Sequence, residues 1–384
     1  MHRPTHQIDR QSGVAFLVFI MLVVTIAITI FSTDISLLLR RDNQNQQTLH
    51  LLNEAKQNLI AYAINYIEYY SSNVGLGHFP CPDLDVPGTA GSGSSNTPCG
   101  NLNQQLGRLP VSVVPGGISG TFVFTPPEAR GTQQLWYVIS SAFINNPNGV
   151  VNSETLGTLS LDDRSNIVAL IIAPGSAFNA AQEAGRPSIN MQHYLEGENA
   201  DGDLVFSNLQ ANSNDMIVAI TVDEFMAGVE SRVTRVMLDR VLQYNAVCGV
   251  LPQAMTFVDP RSIAAGSFAS DGNDHGFFPV DVAAPFDWNS ACGAGTSPSV
   301  PSWISQNEWQ RLVYYDTRTG ISLNGTGGNT VLLLSAGAAQ GAQDRAGYTG
   351  LSDYFEAGNE IEASTAYVTT LSDPNTNDVG HASP

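Results

Sequence analysis

Hydrophobic positions open the chain in one block. Residues 14–31 read VAFLVFIMLVVTIAITIF, eighteen residues without a charge, a glycine or a proline. A helix of that length spans roughly 27 Å, close to the hydrocarbon thickness of a bilayer. Arg3 and Arg10 precede it, which predicts a cytoplasmic N-terminus. Beyond Arg40 and Arg41 the pattern changes. Leu49, Leu52, Leu59, Ala63, Ile64 and Ile67 recur with a period near 3.6, with Ala55 and Ile60 beside them. No glycine or proline interrupts residues 14–70, so the pattern predicts one helix of about 57 residues, roughly 85 Å long. Its first third is apolar all round and its last third is amphipathic.

The rest of the chain matches itself in short, gapped segments. Asn166-IVALIIA-Pro174 pairs with Asn329-TVLLLSA-Gly337, each a buried-strand run. Gln182-Glu183-Ala184-Gly185 pairs with Gln343-Asp344-Arg345-Ala346-Gly347. Tyr194-Leu195-Glu196-Gly197-Glu198-Asn199 pairs with Tyr354-Phe355-Glu356-Ala357-Gly358-Asn359. Upstream, Leu135-Trp136-Tyr137-Val138 resembles Leu312-Val313-Tyr314-Tyr315, and Phe79-Pro80-Cys81 resembles Phe278-Pro279-Val280. Each copy begins with a helix. In the second it covers residues 223–244, with Met226, Val229, Val233, Val236, Met237 and Val241 on one face. Asp223 and Glu224 suit its positive N-terminal end. Strand runs bounded by Asn, Gly and Pro, with no helix between them, predict an antiparallel sheet with a helix on one face.

Charge narrows the partners. Sixteen basic and 35 acidic residues give a net charge of −19, which argues against nucleic acid, whose phosphates are captured by Lys/Arg patches. Lys56 is the one lysine. The four cysteines, Cys81, Cys99, Cys248 and Cys292, contain no Cys-x-x-Cys pair and fit two disulfides in an oxidising compartment. The expected bridges are Cys81–Cys99, close in sequence, and Cys248–Cys292, within the second copy. Carboxylates cluster at Asp83/Asp85, at Glu196/Glu198/Asp201/Asp203 and at Asp271/Asp274. The second cluster is the best candidate for calcium, but it lacks the spacing of a twelve-residue calcium loop, and a solvated turn on an acidic protein is the favoured reading. No Gly-x-Ser-x-Gly elbow and no His-Glu-x-x-His are present. His78, His193, His275 and His381 fall in polar loops. Trp136, Trp303 and Trp309 suit a core or a binding face. No enzymatic activity is expected; a membrane-anchored hydrolase is the weakest reading.

The junction Ser12-Gly13 before the apolar run resembles a type IV prepilin signal. The resemblance implies cleavage after Gly13 by a prepilin peptidase, methylation of a mature N-terminus at Val14, and a helix that is both membrane anchor and filament core. The match departs from the family at two positions. The fifth mature residue is Val18 and not Glu, a departure shared with minor pilins and minor pseudopilins, and Val14 replaces the usual Phe.

Together these readings give an α+β expectation. A leader (1–13) is followed by a transmembrane helix (14–31) and its amphipathic continuation (32–72). Two duplicated pilin-like heads follow (73–222 and 223–384), each a helix on an antiparallel sheet with a disulfide loop. The expected function is a structural subunit at the tip of, or initiating, a type IV pilus or type II secretion pseudopilus, partnered by other pilins. The expected location is the inner membrane, single-pass, with a periplasmic C-terminal part and possible display at the cell surface. The alternative is a membrane-anchored binding or adhesion module that does not polymerise.

Overall fold

The computed structural model describes residues 11–69, 76–97, 105–115, 122–123, 134–145, 149–258, 272–280, 300–345, 350–361, 363–370, 372–373 and 375–384. The chain divides into two compact units, Met1–Leu51 and Leu52–Pro384. Helix α1 (Gln11–Tyr69) has 59 residues, with no helix breaker after Gly13. In the first unit, apolar residues 17–24 are 44–64% exposed. The Thr25 and Thr48 hydroxyls donate to the carbonyls of Met21 and Gln44, four residues back, at 2.7 and 2.9 Å.

In the second unit the end of α1 buries Leu52, Ala55, Leu59, Tyr62 and Ala63. That spacing is one helical face, so the 3.6-residue stripe locates the packed side of the helix. Leu49, placed on the same stripe by its spacing, is 40% exposed. Lys56 Nζ donates to the Ala219 carbonyl at 2.8 Å and pairs with Glu224 at 2.6 Å.

The strands follow in order: β1 (Ser94–Thr97), β2 (Leu106–Arg108), β3 (Ser112–Pro115), β4 (Phe122–Val123), β5 (Trp136–Ile139), β6 (Leu159–Leu161) and β7 (Arg164–Ala173). Helix α2 (Ala180–Gly185) precedes β8 (Val205–Phe206) and β9 (Met216–Thr221). Helix α3 (Val222–Cys248), β10 (His275–Phe277), α4 (Ser302–Gln306), β11 (Val313–Asp316), β12 (Ile321–Leu323), β13 (Thr326–Asn329), β14 (Val331–Ser335), β15 (Ala366–Tyr367) and β16 (Val379–Ser383) complete the chain.

One sheet runs β2-β5-β7-β6-β8, with β9 also on β7; a second runs β10-β11-β14-β16, and a third β13-β12-β15. The β-branched and aliphatic stretch of β7 explains its length and complete burial from Ile167 onward. Helix α3 starts at Thr221, whose hydroxyl accepts from the Glu224 amide, and ends at Gly249 in the left-handed region (φ 68°). Eleven of its residues are buried, and it packs on β14 and β16 as well as on β7 and β9. Each fully buried apolar side chain on that face contributes about 1.5–3 kcal/mol. A polar seam adds to the packing. The Val151 amide donates to Asn307 Oδ1 at 2.8 Å, and Asn152 Nδ2 donates to the Asn307 carbonyl at 2.9 Å, joining the segment before β6 to the turn after α4.

The expected fold class and location are corrected by this arrangement. No helix is long and apolar enough to cross a membrane among the described residues, which overturns the membrane-spanning helix and the single-pass inner-membrane placement. Purely antiparallel heads are overturned as well: β1 with β3, β6 with β8, and β12 with β15 pair in parallel. A parallel pair needs a long crossover. The segments 174–204 and 336–365 belong to those connections, and their Gly- and Ala-rich composition reads in sequence as simple turns. Cys81 and Cys248 are both disulfide-bonded, and the cysteines expected to pair with them, Cys99 and Cys292, lie outside the described residues. No two described cysteines lie at disulfide distance.

Leu59→Ala removes a fully buried side chain and is expected to lower the unfolding free energy by about 2–5 kcal/mol. Leu49→Ala, at the exposed end of the same stripe, is expected to change it by about 0.5 kcal/mol or less. Denaturant titration of both variants checks the register of the packed stripe.

Candidate functional site

Two clusters of the same side chains stand beside β9 and β16. In the first, Asn199 Nδ2 donates to the Ser207 carbonyl (3.2 Å) and to Asp215 Oδ2 (3.0 Å), while its Oδ1 accepts from the Ser207 amide (2.8 Å). In the second, Asn359 Nδ2 donates to the Val368 carbonyl (2.8 Å) and to Asp378 Oδ2 (2.7 Å), and its Oδ1 accepts from the Val368 amide (2.9 Å). Asn199, Asn359, Asp215 and Asp378 are all buried. A buried amide that satisfies a backbone pair and a carboxylate at once fixes three segments relative to each other.

An arginine holds each crossover. Arg186 donates to the carbonyls of His193 (2.6 Å), Gly175 (3.1 Å) and Tyr194 (3.4 Å), and its guanidinium lies 4.7 Å from the Tyr194 ring centre. Arg345 donates to the carbonyls of Asp353 (3.3 Å), Gly337 (2.9 Å), Ala336 (2.8 Å) and Tyr354 (3.5 Å), and lies 5.1 Å from the Tyr354 ring. The next residues repeat too. Asn214 Nδ2 donates to the Ser176 carbonyl, and Asn377 Nδ2 to the Ala338 carbonyl. Asp162 and Asn324 both sit at positive φ (56° and 52°) and accept from the amides of Asn208 and Thr369. Tyr137 and Tyr315 donate to the carbonyls of Pro80 and Pro252.

The cores correspond in the same way. Leu170, Ile172, Tyr194 and Phe206 form one apolar cluster with Trp136; Leu332, Leu334, Tyr354 and Tyr367 form the other with Tyr314. The strand pairs β5–β7, β7–β9 and β6–β8 have the same directions as β11–β14, β14–β16 and β12–β15. The copies differ in their central strand: β7 is a single ten-residue strand, whereas its counterpart breaks between Asn329 and Val331 into β13 and β14.

Burial shifts the acids of both clusters. Burial and the neighbouring Asp215 carboxyl push Glu196 up to about 7, and burial raises Asp215 as well. Burial pushes Asp378 up to about 8, and raises Glu356. Glu230 on α3, buried, rises to about 7 for the same reason.

The sequence-derived site residues fall in several places. Gly13 and Val14 lie in α1. Cys81 is buried and Cys248 ends α3, while Cys99 and Cys292 are outside the described residues. The calcium candidates separate: Glu196 is buried, Asp201 and Asp203 accept from the amides of Asp203 and Val205, and Glu198 is exposed. Asp83 is buried against Arg108 at 2.6 Å, Asp274 pairs with His275 at 2.5 Å, and Asp271 lies outside the described residues. Among the described residues no group of three or more His, Cys, Asp or Glu is placed to hold a metal ion. His78 is not a loop histidine in solvent: it is buried, its Nδ1 lies 3.0 Å from the Ile144 carbonyl, and burial lowers it to about 4. Trp136, Trp303 and Trp309 are core residues. Sequence reasoning passed over Asp215 and Asp378. The signal was the repeated Asn-Asp step, Ser213-Asn214-Asp215 and Thr376-Asn377-Asp378, just ahead of a strand.

This arrangement offers rigid scaffolding that ties each crossover to its sheet. No protein family, curated protein or solved structure matches the chain.

Asn199→Ala and Asn359→Ala each leave a backbone pair and an aspartate oxygen without their partner. Each is expected to cost about 2–3 kcal/mol in chemical unfolding, and a similar loss for both variants is expected from their matching contacts.

Proposed function

We propose that the chain is an assembly subunit of the type IV pilin or pseudopilin kind, which acts by packing α1 against the α1 helices of neighbouring subunits. It is a mechanical role without turnover. The observation that carries the reading is the apolar stretch 17–24 of α1, 44–64% exposed and eight residues long without a polar side chain. A helix face of that kind is left for another apolar surface to cover. The resemblance of Ser12-Gly13-Val14 to a prepilin processing site supports the same reading, with a prepilin peptidase as the processing partner.

Placement at a filament end or in its initiation fits Val18. A carboxylate buried in apolar packing without a partner costs several kcal/mol, so a subunit with no neighbour ahead of it gains nothing from Glu at that position. The second unit, Leu52–Pro384, would then be presented for contact with other components.

Two variants test the proposal in a host that carries a prepilin peptidase. Gly13→Leu is expected to accumulate as the precursor beginning at Met1, while the unmodified chain shows an N-terminal residue at Val14 by intact mass. An unmodified chain that retains Met1 would overturn the reading. Val18→Glu alters an exposed position and is expected to leave stability within about 0.5 kcal/mol. It is expected to keep or reduce incorporation into filaments, read by immunolabelling; uniform labelling along filaments by the unmodified chain would rule out placement at an end.

A further inference from the structure

We propose that Glu196–Asp215 and Glu356–Asp378 are two copies of one proton-held latch. Each closes a crossover corner, 194–199 or 354–359, onto the start of β9 or β16, and each loosens when its proton leaves.

The geometry requires something between the acids that the chain's own donors do not supply. In the first copy both carboxylate oxygens of Glu196 and Oδ1 of Asp215 are buried without a hydrogen-bond partner. The Glu196 amide donates to Asp215 Oδ2 at 3.2 Å, so the two acids are held together through the backbone. In the second copy Asp378 Oδ1 is the buried atom without a partner. There Glu356 is satisfied by Gln343 Nε2 at 2.5 Å and by Thr376 Oγ1 at 3.2 Å. The nearby cations are committed elsewhere. Arg186 donates to three backbone carbonyls and lies on Tyr194. Arg345 donates to four carbonyls, and its ion pair is with Glu154 at 3.6 Å. A buried carboxyl oxygen with no cation beside it is accommodated by keeping a proton.

The groups facing each latch are few. Around Glu196 and Asp215 they are Arg186, Asn199, Ser213 and the Asn214 backbone. Around Glu356 and Asp378 they are Arg345, Asn359, Gln343, Thr376 and the Asn377 backbone. Arg345 also faces Glu154 and Glu230.

The direction follows from linkage. An ordinary carboxyl releases its proton near pH 4 in the unfolded chain. In the folded chain release waits until about 7 at Glu196 and about 8 at Asp378. Between those limits the folded state binds more protons than the unfolded state, so stability falls as pH rises, on the order of tenfold in the folding equilibrium constant per pH unit for each proton held. The latches are closed in acid and open on the alkaline side. This inference stands apart from the assembly reading, because it concerns only the second unit.

Hydrogen exchange of the full chain, corrected for intrinsic rates, tests it at the Ser207 and Val368 amides, which Asn199 and Asn359 hold. Protection at both is expected to fall by about tenfold or more between pH 6 and pH 9. Glu196→Gln is expected to abolish that fall at Ser207 alone, and Asp378→Asn at Val368 alone. Protection independent of pH in the unmodified chain, or a fall that persists at the altered site, would overturn the latch. Should either variant fail to fold, carbon-13 titration of the side-chain carboxyls in the unmodified chain decides. Midpoints near 7 and 8 are expected, and midpoints near 4 would overturn it.

Discussion

Burial of α3 against two sheets is the constraint on which the second unit depends. A 27-residue helix that starts directly after β9 has no freedom to leave the first sheet, because Val222 and Phe225 are already buried at its first turns. Phe225 meets Phe79 at 4.8 Å and Phe143 at 6.2 Å, both from the first half of the unit. Further along, Ser231 lies against His381 of β16, with 3.1 Å between Oγ and Nε2. One helix therefore spans two cores, and the Asn307 seam closes the same junction with polar contacts. Removing apolar surface from water supplies the drive; the paired polar groups at the junction fix the register.

Around that helix each sheet solves the same problem with the same residue types. A parallel pair at the sheet's edge, β6 with β8 or β12 with β15, forces a long crossover with many backbone groups away from water. Those groups need partners. Arg186 and Arg345 collect the carbonyls, and Asn199 and Asn359 close the backbone pair and bind the aspartate. The cost is a pair of acids brought together in a dry place, which is where the raised proton affinities arise. The first unit follows another rule: α1 forms because nothing in residues 14–70 breaks a helix, and its apolar residues 17–24 are exposed.

Much of this was legible in the chain. The stripe at Leu52, Ala55, Leu59 and Ala63 locates the packed face of α1, and the match of 166–174 with 329–337 marks the central strand of each sheet. The repeated Glu and Asn of 194–199 and 354–359 were visible as well; Glu196, Asn199 and Asn359 turn out to be buried clamp residues where a solvated turn was expected at 196–203, while Glu356 is half-buried. Pairing direction was not legible, because Gly-rich stretches look alike whether they close a hairpin or begin a crossover. Burial of His78 was equally hidden: Leu76, Gly77 and Phe79 beside it do not reveal that Ile144 and Asn307, far away in sequence, meet its ring. Membrane crossing was inferred from the apolar run alone, and no described helix meets the length and apolarity that crossing needs.

Whether α3 joins the two sheets into one cooperative core is read most directly by native-state hydrogen exchange with mass spectrometry. The peptides of interest cover β7 and β14, followed through increasing denaturant. A shared core predicts that both peptides converge on one opening free energy and one denaturant dependence. Two separate limiting values, with β14 exchanging while β7 stays protected or the reverse, would contradict it.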